Sequence, residues 1–279
     1  LTGPSEHEAW SRLSAENEAC GGEACLNRMG GICPYFQARQ RALNAHIVVV
    51  NHALLLADVI TESHVLPEYK YLIVDEAHHL ESASTNALSY RVTDKDVEYL
   101  LDELGSSTSG VLGQLMALLN RRLKPDQFAA FGEAISRIID LAFRVEHELR
   151  NFFLALERFM EDMREGRPMS DYGQKARVVP ATLRQPAWSD IEILWDKINH
   201  SIEALLQKLS NTLRDVADME ISQELEVEEA LGDITSIHRR LMEAQVHLNS
   251  LVNDPDTGYI YWIGIGRRKK TLSVNVAPL

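Results

Sequence analysis

Apolar residues fall at Phe128, Phe131, Ile135, Ile138, Ala142, Val145, Leu149, Phe152, Leu156, Phe159 and Met163, in alternating steps of three and four. That spacing puts them on one face of a helix and predicts a single helix roughly 50 Å long at 1.5 Å per residue. Its Phe and Met stripe is read as core. Gly166 and Pro168 end it, and residues 167 to 187, with three prolines, read as a loop or mobile tip. Ser189 is the expected cap of a second stripe, Ile191, Trp195, Ile198, Ile202, Leu205, Leu209, Leu213 and Val216. After a break near Met219 a third runs through Val227, Leu231, Ile234, Ile237, Leu241, Ala244, Leu248 and Leu251. Long amphipathic helices joined by turns imply an antiparallel bundle.

The flanks have a different period. Ile47-Val48-Val49-Val50 and Tyr71-Leu72-Ile73-Val74 are short apolar runs suited to buried parallel strands, separated by Ala53-Leu-Leu-Leu-Ala57 and a loop at Pro67. They read as a slice of an α/β sheet over residues 46–92. Thr93, with Asp96 three residues on, is a helix N-cap that opens the helical region 93–255. Asn253-Asp-Pro-Asp-Thr-Gly258 stops that region. Tyr259-Ile-Tyr-Trp-Ile and Thr271-Leu-Ser-Val-Asn-Val then flank Gly266-Arg-Arg-Lys-Lys270 as the strands of a hairpin, so residues 256–279 return to sheet.

Composition alters this picture little: 45% hydrophobic and 25% charged residues in 279 are ordinary globular values. The net charge of −13 repels a polyanion on average, so any nucleic-acid contact has to come from local basic patches. No segment has the roughly 18 uninterrupted apolar residues of a membrane span, and Leu1-Thr-Gly-Pro-Ser-Glu is neither a signal peptide nor an initiator start. The three cysteines, Cys20, Cys25 and Cys33, all lie near the N-terminus, an arrangement that points to a metal site in a reducing compartment rather than a disulfide scaffold.

The chemistry concentrates at the end of the second apolar run, where Asp75-Glu76-Ala77-His78 follows Val74. In α/β folds the carboxyl end of a strand is where ligands bind. A nucleotide hydrolase needs one carboxylate there for Mg²⁺ and a second to polarise the attacking water. It also needs G-x-x-x-x-G-K-[ST]. The nearest match, Gly105-Ser-Ser-Thr-Ser-Gly110, continues Val111-Leu112 and lacks the lysine and hydroxyl that bind phosphate and metal. The cysteine spacing, C-x4-C-x7-C, is not that of a zinc ribbon. A four-residue gap does occur in iron–sulfur ligation, and three free thiols in a small subdomain are the other reading.

Three stretches together carry a family likeness: Cys33-Pro-Tyr-Phe-Gln-Ala-Arg39, the run Ile47–Val50 ending in Asn51-His52-Ala-Leu-Leu, and Asp75-Glu-Ala-His with a following His-Leu-Glu. The chain resembles the XPD/DinG family of iron–sulfur superfamily 2 helicases, its Asn-His-Ala-Leu-Leu form and cysteine spacing leaning toward DinG. The resemblance implies an α/β fragment of a RecA-like (P-loop NTPase) motor domain carrying a large, mainly α helical-bundle insertion, the Arch, so that the chain is predominantly α overall. Residues 1–45 would be part of the iron–sulfur region, 46–92 part of the first motor domain, 93–255 the Arch and 256–279 the return to the motor domain. The Walker A loop and the first cluster cysteine of such a protein lie upstream, and motif III and the second motor domain downstream, so the chain resembles the middle of a helicase.

Carried over position by position, the resemblance makes Asp75 the Mg²⁺ carboxylate, Glu76 the residue that activates water and His78 a coupler of hydrolysis to motor movement. Asp75 and Glu76 would thereby contact ATP. Cys20, Cys25 and Cys33 become three of four ligands of a 4Fe-4S cluster whose fourth lies outside the chain, so the cluster is expected to be absent or unstable here. Arg39 and Arg41 would touch the DNA backbone where the strands separate; for Arg39 a salt bridge holding the cluster loop is the alternative. Asn51 and His52 are read first as hydrogen-bonded structural residues and second as ligand contacts. Arg121, Arg122 and Lys124, and Arg267 to Lys270, are read as solvated faces.

The function implied is that of an ATP-dependent 5′-to-3′ DNA helicase. It would couple ATP hydrolysis to single-strand translocation and duplex unwinding in repair or recombination, act on single-stranded or forked DNA, and work in the bacterial cytoplasm in association with the nucleoid. The piece itself is expected to be a monomer without ATPase activity. Two other readings are a stand-alone helical protein-interaction module and a degenerate family member that binds DNA without unwinding it.

Overall fold

The computed structural model describes residues 32–60, 65–166, 173–266 and 271–279, and the chain separates into two compact units, 1–89 and 90–279. In the first unit, α1 (Pro34–Leu43) begins with Pro34 at its first position and Cys33 as N-cap. A proline suits that position because its missing N–H has no partner there anyway. α2 (His52–Ile60) is capped by Asn51, whose Oδ1 accepts from Leu54 N at 2.8 Å. At the other end of α2, Asp58 is 1% exposed and its Oδ1 accepts from the backbone N–H groups of Val65 and Leu66 at 3.0 and 2.8 Å. A 3₁₀ turn at Ala77–His79 leads into α3 (Leu80–Leu88), which packs on α2.

The two apolar runs of this unit are not strands. Residues 47–50 and 71–74 form no strand with any described residue, and Ile47, Val49, Tyr71 and Ile73 are 82, 91, 90 and 93% exposed. The expected α/β sheet is thus not formed among the described residues. A buried parallel strand needs a neighbour for its backbone groups and helices over both faces. The described residues from 32 to 89 supply three short α-helices and no strand.

The second unit opens with β1 (Tyr90–Thr93) and α4 (Asp94–Leu104). Thr93 is the N-cap that its spacing to Asp96 predicts: its Oγ1 accepts from Asp96 N at 3.2 Å and its own N–H donates to Asp96 Oδ2 at 2.8 Å. α5 (Gly110–Asn120) follows, and then α6 (Pro125–Asp162), whose 38 residues make about 57 Å of helix. The predicted stripe faces inward from Phe131 to Phe159, all at 7% exposure or less. Its last member does not: Met163 is 45% exposed beyond the helix end, and Met160 is buried in its place.

Residues 167–187 contain more structure than a loop. β2 (Gln174–Val178) and the single turn α7 (Pro180–Leu183) lie there, and α8 (Pro186–Ala217) begins at Pro186 with Gln185 as N-cap. Ser189 is therefore inside the helix, not its cap; proline at the first position opens the helix one turn earlier. The earlier start buries Trp188, whose Nε1 donates to Val252 O at 3.2 Å. α9 (Leu225–Val252) completes the set.

Cross-helix contacts give the directions. Phe152 meets Trp195 and Phe159 meets Trp188, so α6 and α8 are antiparallel. Trp195 bonds Asn249 and Ser210 bonds His238, so α8 and α9 are antiparallel too. α4 and α5 close the bundle against α6 and α9.

β3 (Tyr259–Ile265) and β4 (Leu272–Pro278) form the predicted antiparallel hairpin, and the sheet order is β1-β4-β3-β2, antiparallel throughout. These strands belong to the second unit. β4 is buried along nearly its whole length, including the polar Ser273 and Asn275. Asn275 Nδ2 satisfies itself on Ser273 O and Oγ, both at 3.1 Å, which is what permits its burial.

Candidate functional site

Asp75 and Glu76 end the second extended run, and the chain turns sharply between them. Glu76 has φ 49° and ψ 44°, the left-handed region, which costs a non-glycine residue about 1–2 kcal/mol. Its N–H donates to Asp75 Oδ1 at 2.9 Å, and His79 N returns to Glu76 O at 2.9 Å to close the 3₁₀ turn. Glu76 Oε2 lies 3.3 Å from His78 Nδ1, with both side chains 67% exposed, and the His78 and His79 rings are 4.0 Å apart. The turn thus brings together the three expected residues, Asp75, Glu76 and His78. It leaves both carboxylates at the surface, one oxygen of Asp75 already used by the backbone.

His52, like Asn51, has the hydrogen-bonded structural role read for it, though its spacing does not name the partner. Its Nε2 bonds the Asp75 carbonyl oxygen at 3.0 Å across 23 residues, tying the start of α2 to the turn. Asn51 beside it caps α2, the structural role expected of it.

The pseudo-cradle Gly105–Gly110 is a closed link between α4 and α5. Gly105 N donates to Leu101 O, Ser106 N to Ser109 O at 2.8 Å and Thr108 N to Ser106 Oγ, so these amides are spent within the chain. A Cβ at Gly105 would sit 2.2 Å from Ser109 O, and φ there is +80°. Its glycines serve chain reversal.

Of the cysteines, Cys20 and Cys25 lie outside the described residues. Cys33 is buried at 9% exposure as the N-cap of α1. Among the described residues no group of three or more His, Cys, Asp or Glu side chains is arranged to hold a metal. Cys33 supplies one soft donor and cannot hold a cluster without the other two. The hard, exposed oxygens of Asp75 and Glu76 are the donor type that Mg²⁺ takes.

Arg39 and Arg41 are both exposed on α1. Two residues apart on a helix they point about 200° from each other, so they do not form one patch. No ion pair joins Arg39 to a described residue. Arg122 pairs with Glu224 at 3.2 Å, as a surface residue does, while Arg267 to Lys270 lie outside the described residues.

In the second unit a cleft of about 470 Å³ runs between β1, α4 and α9, lined by Tyr90, Asp96, Arg240 and Glu243 among others. Burial, reinforced by Glu243 and Asp96, raises the Tyr90 phenol well above its usual range, so it stays a protonated donor. Nothing in the residue spacing marks this cleft, because β1 and α9 are distant in sequence.

Residues 23–97 match the protein-family model DEAD_2, a stretch that takes in Cys25, Cys33, Arg39, Arg41, His52 and Asp75 to His78 but not Cys20. The chain is 41% identical over 85 residues to the ATP-dependent helicase DinG of Mycobacterium tuberculosis, covering 30% of this chain and 13% of the relative. It is 39% identical over 85 residues to the ATP-dependent DNA helicase DinG of Salmonella typhimurium, 30% of this chain and 12% of the relative. With the 3'-5' exonuclease DinG of Bacillus subtilis the identity is 27% over 182 residues, 64% of this chain and 18% of that protein. An alignment of that extent necessarily takes in α6, wherever it begins. The chain spans less than a fifth of each of these relatives, and its resemblance to DinG/XPD-type helicases is borne out on the motifs that suggested it.

Proposed function

We propose that this chain, which carries a DinG/XPD-like helicase segment, belongs to a protein that couples ATP hydrolysis to 5′-to-3′ translocation on single-stranded DNA and to unwinding of forked duplexes. The observation that carries the reading is the turn at Asp75–His78: two adjacent carboxylates and a histidine, exposed at the end of an extended apolar run, within the segment that matches DEAD_2. Asp75 would hold Mg²⁺ through the oxygen its own backbone bond leaves open. Glu76 would orient and deprotonate the attacking water, and His78, 3.3 Å from Glu76, would sense the state of that carboxylate. Bound ATP·Mg²⁺ supplies the electrophilic phosphorus. This chain contributes the metal carboxylate and the base, and the phosphate cradle must come from elsewhere in the protein.

Cys33, with Cys20 and Cys25, would supply three thiolates to a 4Fe-4S cluster completed by a ligand outside the chain. Arg39 and Arg41 lie on the helix that starts at Cys33, where DNA phosphates would pass beside the cluster. Their opposite headings mean that one of them contacts a given strand while the other faces away. The helical unit is the Arch of this reading, guiding the single strand. The bacterial cytoplasm, at the nucleoid, is where such a protein would act.

The deciding experiment is Glu76→Gln in the full-length protein. Loss of single-strand-stimulated ATP hydrolysis, with ATP binding kept, is the expected result. Undiminished hydrolysis would sink the assignment and favour a DNA-binding protein that does not unwind, or a helical protein-interaction module.

A further inference from the structure

The peptide group joining Asp75 to Glu76 is held at both polar ends. Its N–H donates to the Asp75 side chain at 2.9 Å, and its carbonyl oxygen lies 3.0 Å from His52 Nε2. A carbonyl oxygen only accepts, so Nε2 carries the proton and His52 is the donor. The first of these bonds is local and moves with the turn. The second comes from the opening residue of α2, half-buried, on a helix fixed independently by the Asn51 cap and by the buried Asp58.

Glu76 sits in a left-handed conformation that a non-glycine residue keeps only where its surroundings determine it. Flipping the 75–76 peptide would relieve that conformation, and would swing the Glu76 carboxylate relative to Asp75. The His52 bond is the long-range contact that opposes the flip.

We infer that His52 is a positioning residue: by holding the Asp75–Glu76 peptide plane, it fixes the relative placement of the two carboxylates. In this role it acts through the Asp75–Glu76 peptide, which its Nε2 bonds at 3.0 Å. The inference rests on the proposed roles of Asp75 and Glu76 for its catalytic consequence, but its structural half stands on the hydrogen bond alone.

Two measurements test it. In the chain itself, backbone amide exchange at Glu76 should rise about fivefold in His52→Ala, the scale of one intramolecular hydrogen bond. It should return to within about twofold of the parent in His52→Gln, whose side-chain amide donates from a similar reach. The Leu54 amide, capped by Asn51, is the control and should not change. Unchanged exchange at Glu76, equal acceleration in both variants, or acceleration at Leu54 as well would overturn the positioning role.

In the full-length protein, His52→Ala should lower kcat for ATP hydrolysis about tenfold with KM changed less than about twofold, and His52→Gln should restore it. A kcat unchanged in His52→Ala while Glu76→Gln is inactive removes the catalytic consequence only. Activity retained in Glu76→Gln means instead that the nucleotide reading has failed, whatever the exchange data show.

Discussion

The two units of this chain bury their apolar residues to very different degrees. Among the described residues of 1–89 the buried hydrophobic ones are Cys33 and Leu55, while the continuous core of 90–279 runs from Val92 to Val276 and includes Trp188, Trp195, Phe152 and most of the α6 stripe. Both units contain strongly apolar sequence. The difference lies in what each pattern needs to be satisfied. A helical stripe bonds its own backbone and asks only for another stripe, and the second unit supplies three long ones. An apolar strand asks for neighbouring strands for its hydrogen bonds and covers for both its faces, and residues 47–50 and 71–74 find neither among the described residues. Among the described residues, the second unit therefore buries its apolar face and the first leaves its apolar runs exposed.

The largest expected contrast is in hydrogen exchange. Amides of residues 47–50 and 71–74 should exchange within about tenfold of unstructured rates, while those of Ile138, Val145 and Phe152 should be slower by a factor of 10³ or more, on the order of the unit's global stability. Comparable protection in the two regions would mean that the extended runs pair with something, and the comparison would fail.

Leu149→Asp comes next. Leu149 is 1% exposed in the middle of α6, and a carboxylate there has no partner to pair with, so a loss of about 4 kcal/mol or more is expected. Glu161→Ala, on the same helix but 57% exposed in an ion pair with Arg164, should stay within about 0.5 kcal/mol. Thermal melts followed by circular dichroism in the intact chain decide it; equal shifts from the two substitutions would mean that the stripe does not face the core.

Much of the second unit was legible from spacing. The α6, α8 and α9 stripes, the Thr93–Asp96 cap and the β3–β4 hairpin follow from local periodicity and turn chemistry, and each is present. What escaped were features that depend on distant partners. β2, with Lys175 and Arg177 among its five residues and prolines on either side, is a strand because β3 pairs with it. Trp188 pulls the α8 start forward because it has a place against Phe159 and Val252. At the candidate site, Asp75, Glu76 and His78 are marked by their own motif, but the bond from His52 to the Asp75 carbonyl spans 23 residues and leaves no trace in spacing. The strand pattern at 47–50 and 71–74 is apolar as read, but these runs pair with no described residue, since periodicity reports which face wants burial and not whether a partner exists.

A pair of glycines separates backbone strain from crowding within the second unit. Gly105 has φ +80° and a Cβ there would meet backbone atoms of Ser109 and Gly110 at 2.2 to 2.7 Å, whereas Gly166 has φ +77° and open space around it. Gly105→Ala should cost about 2–4 kcal/mol, since neither backbone can yield without breaking the α4–α5 link. Gly166→Ala should cost about 1 kcal/mol from conformation alone. Similar costs at the two positions, read from denaturant midpoints, would show that the link has room to relax.

The smallest effect should be a pH dependence carried by the second unit. His247 is half-buried on α9 and stacked on Tyr90 at 4.0 Å, and burial lowers its pKa from the ordinary 6.5, with Glu243 pulling weakly the other way. His238 is lowered for the same reason. A base whose folded pKa lies below its unfolded value is neutral in both states above about 6.5. As pH falls through that value the unfolded chain takes up the proton first, so stability falls with it. Asp233 opposes this at lower pH, because burial and Glu229 raise its carboxyl and its protonation then favours the folded state. His247→Phe keeps a ring against Tyr90 and removes the proton site while leaving His238 and Asp233 in place. The drop in Tm between about pH 7.5 and about pH 5.5 should shrink by on the order of 1 °C in that variant, the scale expected of one solvent-screened group in a unit of this size. An identical drop in parent and variant would remove His247 as a source of the acid sensitivity and leave His238 to carry it.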